Sequence, residues 1–331
     1  MFLRLFRGTG PGVIFLTGLT LAGFWITAFI DPQSPGQAVY ETNPMPLYSL
    51  LRFILGSSPL AGVIFSFAVM VVMVFLITWF NTSVFFINER TFLPALFFIL
   101  ICALFPECRV MNPVLPGALF LMLALIKIMS SYRISGTAFH FFDAGILISA
   151  GSLFFMNLIW LWLLAMIGIA LLRTWNLKEI ALSVLGLITP YILILGLYYV
   201  LGKDIGAYLT DIRLNLFGET QDYDFSRLTI IVLILWALIF LVNLSFLLMQ
   251  MSSKKIKSRK TFFLLLWALA AALAVYFLLP SASVEMIFLT AIPACYIMAH
   301  YFVFARKKLV PEIMFSGFFL LVVLIHVMFA L

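Results

Sequence analysis

Three carboxylates and three guanidinium groups stand where long apolar runs give way to polar stretches: Asp31, Glu41 and Glu107, and Arg52, Arg109 and Arg213. A carboxylate can keep a charge or move a proton, and the planar guanidinium fork matches a phosphate or a carboxylate. Asp31 closes the first apolar run and is followed at once by Pro32, which cannot extend a helix. Its carboxylate is therefore expected at a helix end, half-buried, charged and facing whatever docks above it. Arg52 lies in PLYSLLRFILG, which starts at Pro46, stops at Gly56 and is apolar except at Tyr48, Ser49 and Arg52. Such a segment reads as a short interfacial helix roofing a cavity, with Arg52 set to meet an anionic head group. Glu107 and Arg109 form a small cluster in PECRVMNP, and Arg213 lies in KDIGAYLTDIRLNLFGETQDYDFSR, where acids mix with Tyr208, Phe217 and Tyr223 as on a surface for a sugar or a peptide. Plainer readings stand beside these: Asp31 finishing a helix, Arg52 snorkelling to lipid phosphate, and 202–226 as a solvated loop.

The elements that must position these groups are membrane helices. The chain is 65% hydrophobic and 10% charged, with mean hydropathy +1.19, far from the roughly 45–50% apolar and 25% charged of soluble domains. Apolar runs are read at 11–30, 60–80, 91–106, 113–130, 141–155, 157–173, 179–201, 227–249, 261–279, 286–305 and 312–331. The third and fifth are short, and 141–173 is either a tight hairpin broken at Phe155-Met156-Asn157 or one long tilted helix. The hairpin gives eleven spans. With the N-terminus inside, fifteen of the twenty Lys and Arg fall on inner segments, as the positive-inside rule asks. The expectation is therefore an all-α polytopic protein, one transmembrane domain over 1–331, with the C-terminus outside. Its outer face carries the loop with the interfacial helix at 31–59 and a second loop at 202–226. The opening MFLRLFRGTGPG and its apolar run read as an uncleaved signal anchor, since the run is long and no A-x-A-like site follows.

Little ionises inside the spans. His300 and His326 read as packing histidines, and His140 and Asp143 share a helix face without a third ligand for a metal. Cys102, Cys108 and Cys295 show no ligand spacing and read as small core residues. Pro190 and Pro293 fall within spans, where they kink helices. The basic run SSKKIKSRK suits an inner leaflet of anionic lipid, not nucleic acid. No GxGxxG, P-loop, HExxH or GxSxG occurs, which excludes the commonest soluble chemistries.

One stretch has a family likeness. An acidic residue after the first span, a Pro-rich loop ending NPMPLYSLLRFILG, a second span, an inner turn with NER and a third span ending ALFPE resembles the N-terminal half of the GT-C class of polytopic glycosyltransferases. The likeness covers roughly 11–201. The chain is also similar to uncharacterised inner-membrane proteins of Bacteroidota. The GT-C resemblance implies a sugar carried on polyprenyl phosphate as donor, transfer at the outer face of a bacterial inner membrane, and Asp31 as general base or positioning carboxylate. Glu41 and Glu107 are then its helpers, and Tyr48, Arg52, Arg109 and Arg213 bind substrate, Arg52 or Arg109 at the carrier phosphate. A divalent cation is compatible with those carboxylates, though nothing in the sequence demands one. Partners implied are membrane lipids, a lipid-linked sugar and proteins of an envelope-assembly complex. Many GT-C members carry paired acids where only Asp31 stands, and a sizeable outer domain that is missing from this sequence. A non-catalytic scaffold or accessory subunit, and a lipid or small-solute transporter, are the alternative functions.

Overall fold

A computed structural model describes residues 2–33, 39–56, 58–132, 138–172, 177–219, 226–305 and 309–330. Among these, every regular element is helical: α1 (Leu3–Phe6), α2 (Pro11–Ile30), α3 (Val39–Thr42), α4 (Pro46–Leu55), α5 (Pro59–Val84), α6 (Leu93–Cys102), α7 (Val114–Ser130), α8 (Ala138–Ser152), α9 (Leu163–Leu172), α10 (Leu177–Val200), α11 (Ile205–Phe217), α12 (Arg227–Gln250), α13 (Ile256–Leu278), α14 (Ile287–Phe304) and α15 (Leu309–Ala330). Short 3-10 turns join some of them. Proline opens α2, α4 and α5, where its missing N–H costs nothing.

Seven helices are long and apolar enough to cross a bilayer: α2, α5, α10, α12, α13, α14 and α15. The expected spans at 91–106, 113–130, 141–155 and 157–173 fold into shorter helices. α6 has 10 residues, about 15 Å against a hydrocarbon layer of about 30 Å. The physical reason is burial by protein. Every residue of α6 is buried, and it packs beside α14, also buried along nearly its whole length, with Phe97 stacked on Phe302 at 4.8 Å. A helix enclosed by other helices needs no particular length, yet it has the same hydropathy as one enclosed by lipid. Pro190 and Pro293 both lie inside continuous helices, α10 and α14.

The segment 141–173 is interrupted, not one long helix. α8 stops at Ser152, and the chain turns through 3-10 residues Met156–Trp162 before α9 begins. The turn folds back so closely that a Cβ on Gly151 would lie 2.3 Å from Leu158 Cδ2. On its other face α8 meets α10 backbone to backbone, at Gly145 and Gly186. A Cβ on Gly145 would lie 2.4 Å from the Ser183 carbonyl oxygen, and one on Gly186 would lie 2.2 Å from that of Phe142. Two small residues are what allow this crossing. Asp143 points away from it and pairs with Lys127 of α7 at 2.8 Å.

The two ends of the bundle are tied by different polar contacts. At one end the Leu3 N–H donates to Glu312 at 3.1 Å, clasping α1 to α15; Arg7 donates to the Val303 carbonyl, and Lys254 meets His300. At the opposite end the segments around Asn43, Leu47, Leu153, Asn157, Asn215 and Ser281 converge. The Leu47 N–H donates to the Leu153 carbonyl at 3.1 Å, seating α4 on the turn after α8. Asn215 of α11 donates to the Asn43 carbonyl at 2.7 Å, and Asn157 donates to Ser281, which donates on to the Leu216 carbonyl.

Candidate functional site

α4 starts at Pro46 and ends before Gly56, whose φ of +67° is a left-handed conformation that glycine adopts without strain. The helix turns its apolar side outward at Phe53 and Ile54 and its Tyr48 side fully inward. The Tyr48 hydroxyl donates to Glu41 at 2.7 Å, and Arg52 pairs with the other oxygen of the same carboxylate at 3.1 Å while also donating to the Glu41 carbonyl. Beside them Tyr40 donates to Glu285 at 2.6 Å, and Ser283 holds the second oxygen of Glu285. The two tyrosine rings meet edge to face at 6.4 Å. Glu41, Tyr48 and Arg52 are therefore bound to one another, and their neighbour Glu285 gave no sequence signal: it is one acid in SASVEM, 245 residues from its partner.

Burial raises the Glu41 carboxyl above its ordinary value; Tyr48 and Arg52 pull it back, and Glu285 adds to the rise. A carboxyl raised in the folded state stabilises the fold below its unfolded pKa, and that contribution is lost as pH rises through the folded value. Relative to Glu41→Gln, which resembles the protonated form, the wild type is thus expected to lose thermal stability as pH rises past the ordinary glutamate value of about 4.3. Melting curves of both proteins in one detergent at a series of pH values test this, and a constant difference would contradict it.

The other predicted residues make a different arrangement. Asp31 ends α2, its N–H donating to the Thr27 carbonyl at 3.0 Å, and its exposed carboxylate stands on the wall of a cleft of about 330 Å³. Glu107 and Arg109 share that wall with Thr27, Gln33 and Phe329. Glu107 is exposed, but Arg109 is only 3% exposed. The Arg109 Nε–H donates to the Pro106 carbonyl at 2.7 Å, and Nη1 donates to the Phe24 carbonyl at 2.6 Å and the Thr27 hydroxyl at 2.5 Å. Phe329 of α15 lies 5.7 Å from the guanidinium carbon. Among the described residues Arg109 has no carboxylate partner and its Nη2 group makes no protein hydrogen bond. Burial pushes its pKa down to about 10, which leaves it a cation at neutral pH. A buried cation held by neutral oxygens and bordering a cleft is a seat for an anion, since a bound anion offsets the cost of burying the charge.

The predicted set thus divides in two: Asp31, Glu107 and Arg109 around the cleft, and Glu41, Tyr48 and Arg52 in the tyrosine–carboxylate cluster. The stretch from the 3-10 turn Pro106–Arg109 to Met111 joins them, since Met111 packs in one cluster with Tyr40 and Tyr48 while Arg109 lines the cleft. Arg213 is exposed on α11 and lines neither group. Tyr223, with Asp222 and Asp224, lies outside the described residues. The buried Cys102, Cys108 and Cys295 are free thiols, and no group of three metal-ligating side chains occurs among the described residues.

A family model described as a family of unknown function (DUF6427) matches residues 47–331. The chain belongs to that family. The match begins within α4, so Tyr48, Arg52, Glu107, Arg109 and Arg213 lie inside it and Asp31 and Glu41 precede it. Neither the curated proteins nor the solved structures contain a match to this chain.

Proposed function

We propose that this protein is a GT-C-like membrane transferase. It takes a sugar from a polyprenyl-phosphate carrier at the outer face of a bacterial inner membrane. The observation that carries this reading is the buried Arg109, which has no carboxylate partner among the described residues, beside an open cleft whose rim holds Asp31 and Glu107. The guanidinium holds the carrier phosphate through its free edge and stabilises the negative charge that grows on the leaving phosphate as the glycosidic bond breaks. Asp31, exposed and unbonded through its carboxylate among the described residues, accepts the proton of the acceptor hydroxyl, and Glu107 lies close enough to orient that acceptor. The prenyl chain runs down the apolar flanks of α2 and α15, where Ile26, Ile30, Leu324 and Met328 are exposed. Tyr48, Glu41 and Arg52 hold the interfacial helix in place beside the site.

In this reading the shorter helices thread the membrane together with the seven long ones, in eleven passes, with the N-terminus cytoplasmic and the C-terminus periplasmic. Its support is the sorting of contacts: segments assigned to the inner side meet one another at one end of the bundle, and outer segments meet at the other. The reaction is tested by following transfer of radiolabelled sugar from a purified polyprenyl-phosphate donor to membrane acceptors. Asp31→Asn is expected to slow transfer by about 100-fold or more while leaving retention of the lipid unchanged. Full activity in that variant rejects the catalytic role and leaves a scaffold that holds a phospholipid as the better account.

A further inference from the structure

Beside the tyrosine–carboxylate cluster, stretches of chain far apart in sequence enclose a small cavity. Its lining includes Tyr40 of α3, Met45 before α4, Phe155 and Met156 after α8, Asn215 of α11 and Ser281 between α13 and α14. The volume is about 10 Å³, the room that one water molecule takes and no more. Asn215 is 6% exposed, and the bond from its Nδ2 to the Asn43 carbonyl at 2.7 Å fixes which way its amide points. Exchanging the amide nitrogen and oxygen would set Oδ1 against that carbonyl, so Oδ1 is the atom left over. It is buried and has no hydrogen-bond partner among the described residues. The hydroxyls of the lining have their hydrogens committed already. Tyr40 donates to Glu285 at 2.6 Å, and Ser281 donates to the Leu216 carbonyl at 2.8 Å while accepting from Asn157. All three side-chain oxygens of the lining are thus acceptors with a lone pair to spare, and they suit a guest that donates.

We infer that the cavity is a binding site for one ordered water, which donates one hydrogen to Asn215 Oδ1 and the other to the Tyr40 hydroxyl oxygen. Size excludes a sugar, a peptide group or a phosphate. Chemistry separates water from an alkali cation. Three neutral oxygens do not make the fuller oxygen shell that a hard cation takes, and thioethers and phenyl rings form much of the remaining wall. The role of the water follows from the elements it joins. Asn215 already ties α11 to the chain before α4 through Asn43. The water adds a link from α11 to Tyr40, and through Tyr40 to Glu285. With it, α11 and the tyrosine–carboxylate cluster form one hydrogen-bonded unit.

X-ray radiolytic labelling of the full-length protein in nanodiscs, read by peptide mass spectrometry, tests this, because a bound water yields hydroxyl radical in place and oxidises the side chains around it. Met45 and Met156 are buried, yet they are expected to form sulfoxide about tenfold faster than the buried Met70, Met73 and Met298. Hydrogen peroxide added to the bulk solution is expected to leave Met45 unreacted. Asn215→Leu removes the acceptor and is expected to bring Met45 and Met156 down to the rate of the other three. Equal rates for all five methionines in the wild type overturn the proposal, whether or not the variant folds. Fast oxidation of Met45 by bulk peroxide also overturns it, since the cavity then opens to solvent instead of holding a water. Labelling of Met45 that persists in a folded Asn215→Leu protein removes Asn215 as the anchor. A rise in melting temperature specific to sodium or to potassium assigns the cavity to a cation and rejects water as its guest.

Discussion

Replacing Arg109 by Met is expected to weaken binding of a polyprenyl phosphate by at least about 100-fold, the cost of losing a charge-assisted, desolvated hydrogen-bonding group. The effect on the empty protein is expected to be small, about 2 kcal/mol or less. Two opposing terms produce this result: the Phe24 and Pro106 carbonyls and the Thr27 hydroxyl lose a donor, while a buried charge that has no carboxylate partner among the described residues is removed. Arg109→Lys separates charge from geometry. An ammonium keeps the charge but is a single point, whereas the guanidinium reaches Phe24, Thr27 and Pro106 at once and still presents Nη2 to the cleft. Intermediate affinity is expected for this variant. Titration of each protein in detergent with a fluorescent polyprenyl phosphate gives the comparison, and equal affinity for the wild type and Arg109→Met contradicts it.

The largest effect on folding is expected at the crossing of α8 and α10. Gly186→Leu forces a Cβ to within 2.2 Å of the Phe142 carbonyl oxygen and 3.0 Å of its carbon. Both are main-chain atoms in a regular helix, so neither can yield as a side chain tip does. The helices must separate, and with them goes the packing of Trp162, whose indole N–H donates to Ser183 one turn from Gly186 at 2.9 Å. A loss of more than about 3 kcal/mol, seen as little or no folded protein after extraction, is expected. Gly196, ten residues along the same helix, faces open space: a Cβ there would meet no neighbouring heavy atom within 4 Å. Gly196→Leu is therefore the control, with a change of about 0.5 kcal/mol or less. Equal behaviour of the two variants in fluorescence-detected size-exclusion chromatography contradicts the close-crossing account.

How much of this picture is legible in the sequence depends on the range of the interactions involved. The short helix expected at PLYSLLRFILG is legible because its signals are local: Pro46 starts it, Gly56 stops it, and the structure has α4 from Pro46 to Leu55. The break at Phe155-Met156-Asn157 is legible as one of two choices for the same reason. The lengths of the inner helices are not. α6 is apolar on every side because protein surrounds it, and hydropathy does not record whether the neighbour is lipid or another helix. Arg109 shows the same limit at a single residue. In PECRVMNP it looks like an outer surface charge, and its burial comes from Phe24 and Thr27, more than eighty residues earlier, and from Phe329 near the other end of the chain. The division of the predicted residues into a cleft and a tyrosine–carboxylate cluster is likewise tertiary, since Glu285 enters from the turn before α14.

The central claim is that the cleft between α2, α15 and the Pro106–Arg109 turn holds the phosphate of a lipid carrier. The most direct measurement is an experimental density map of the protein in native lipid. The account predicts an elongated feature along α2 and α15 whose head ends against Arg109 Nη2, within hydrogen-bond distance, and stands beside Asp31. A cleft filled by ordered water or closed over by side chains, with Arg109 bonded only to Phe24, Thr27 and Pro106, contradicts it.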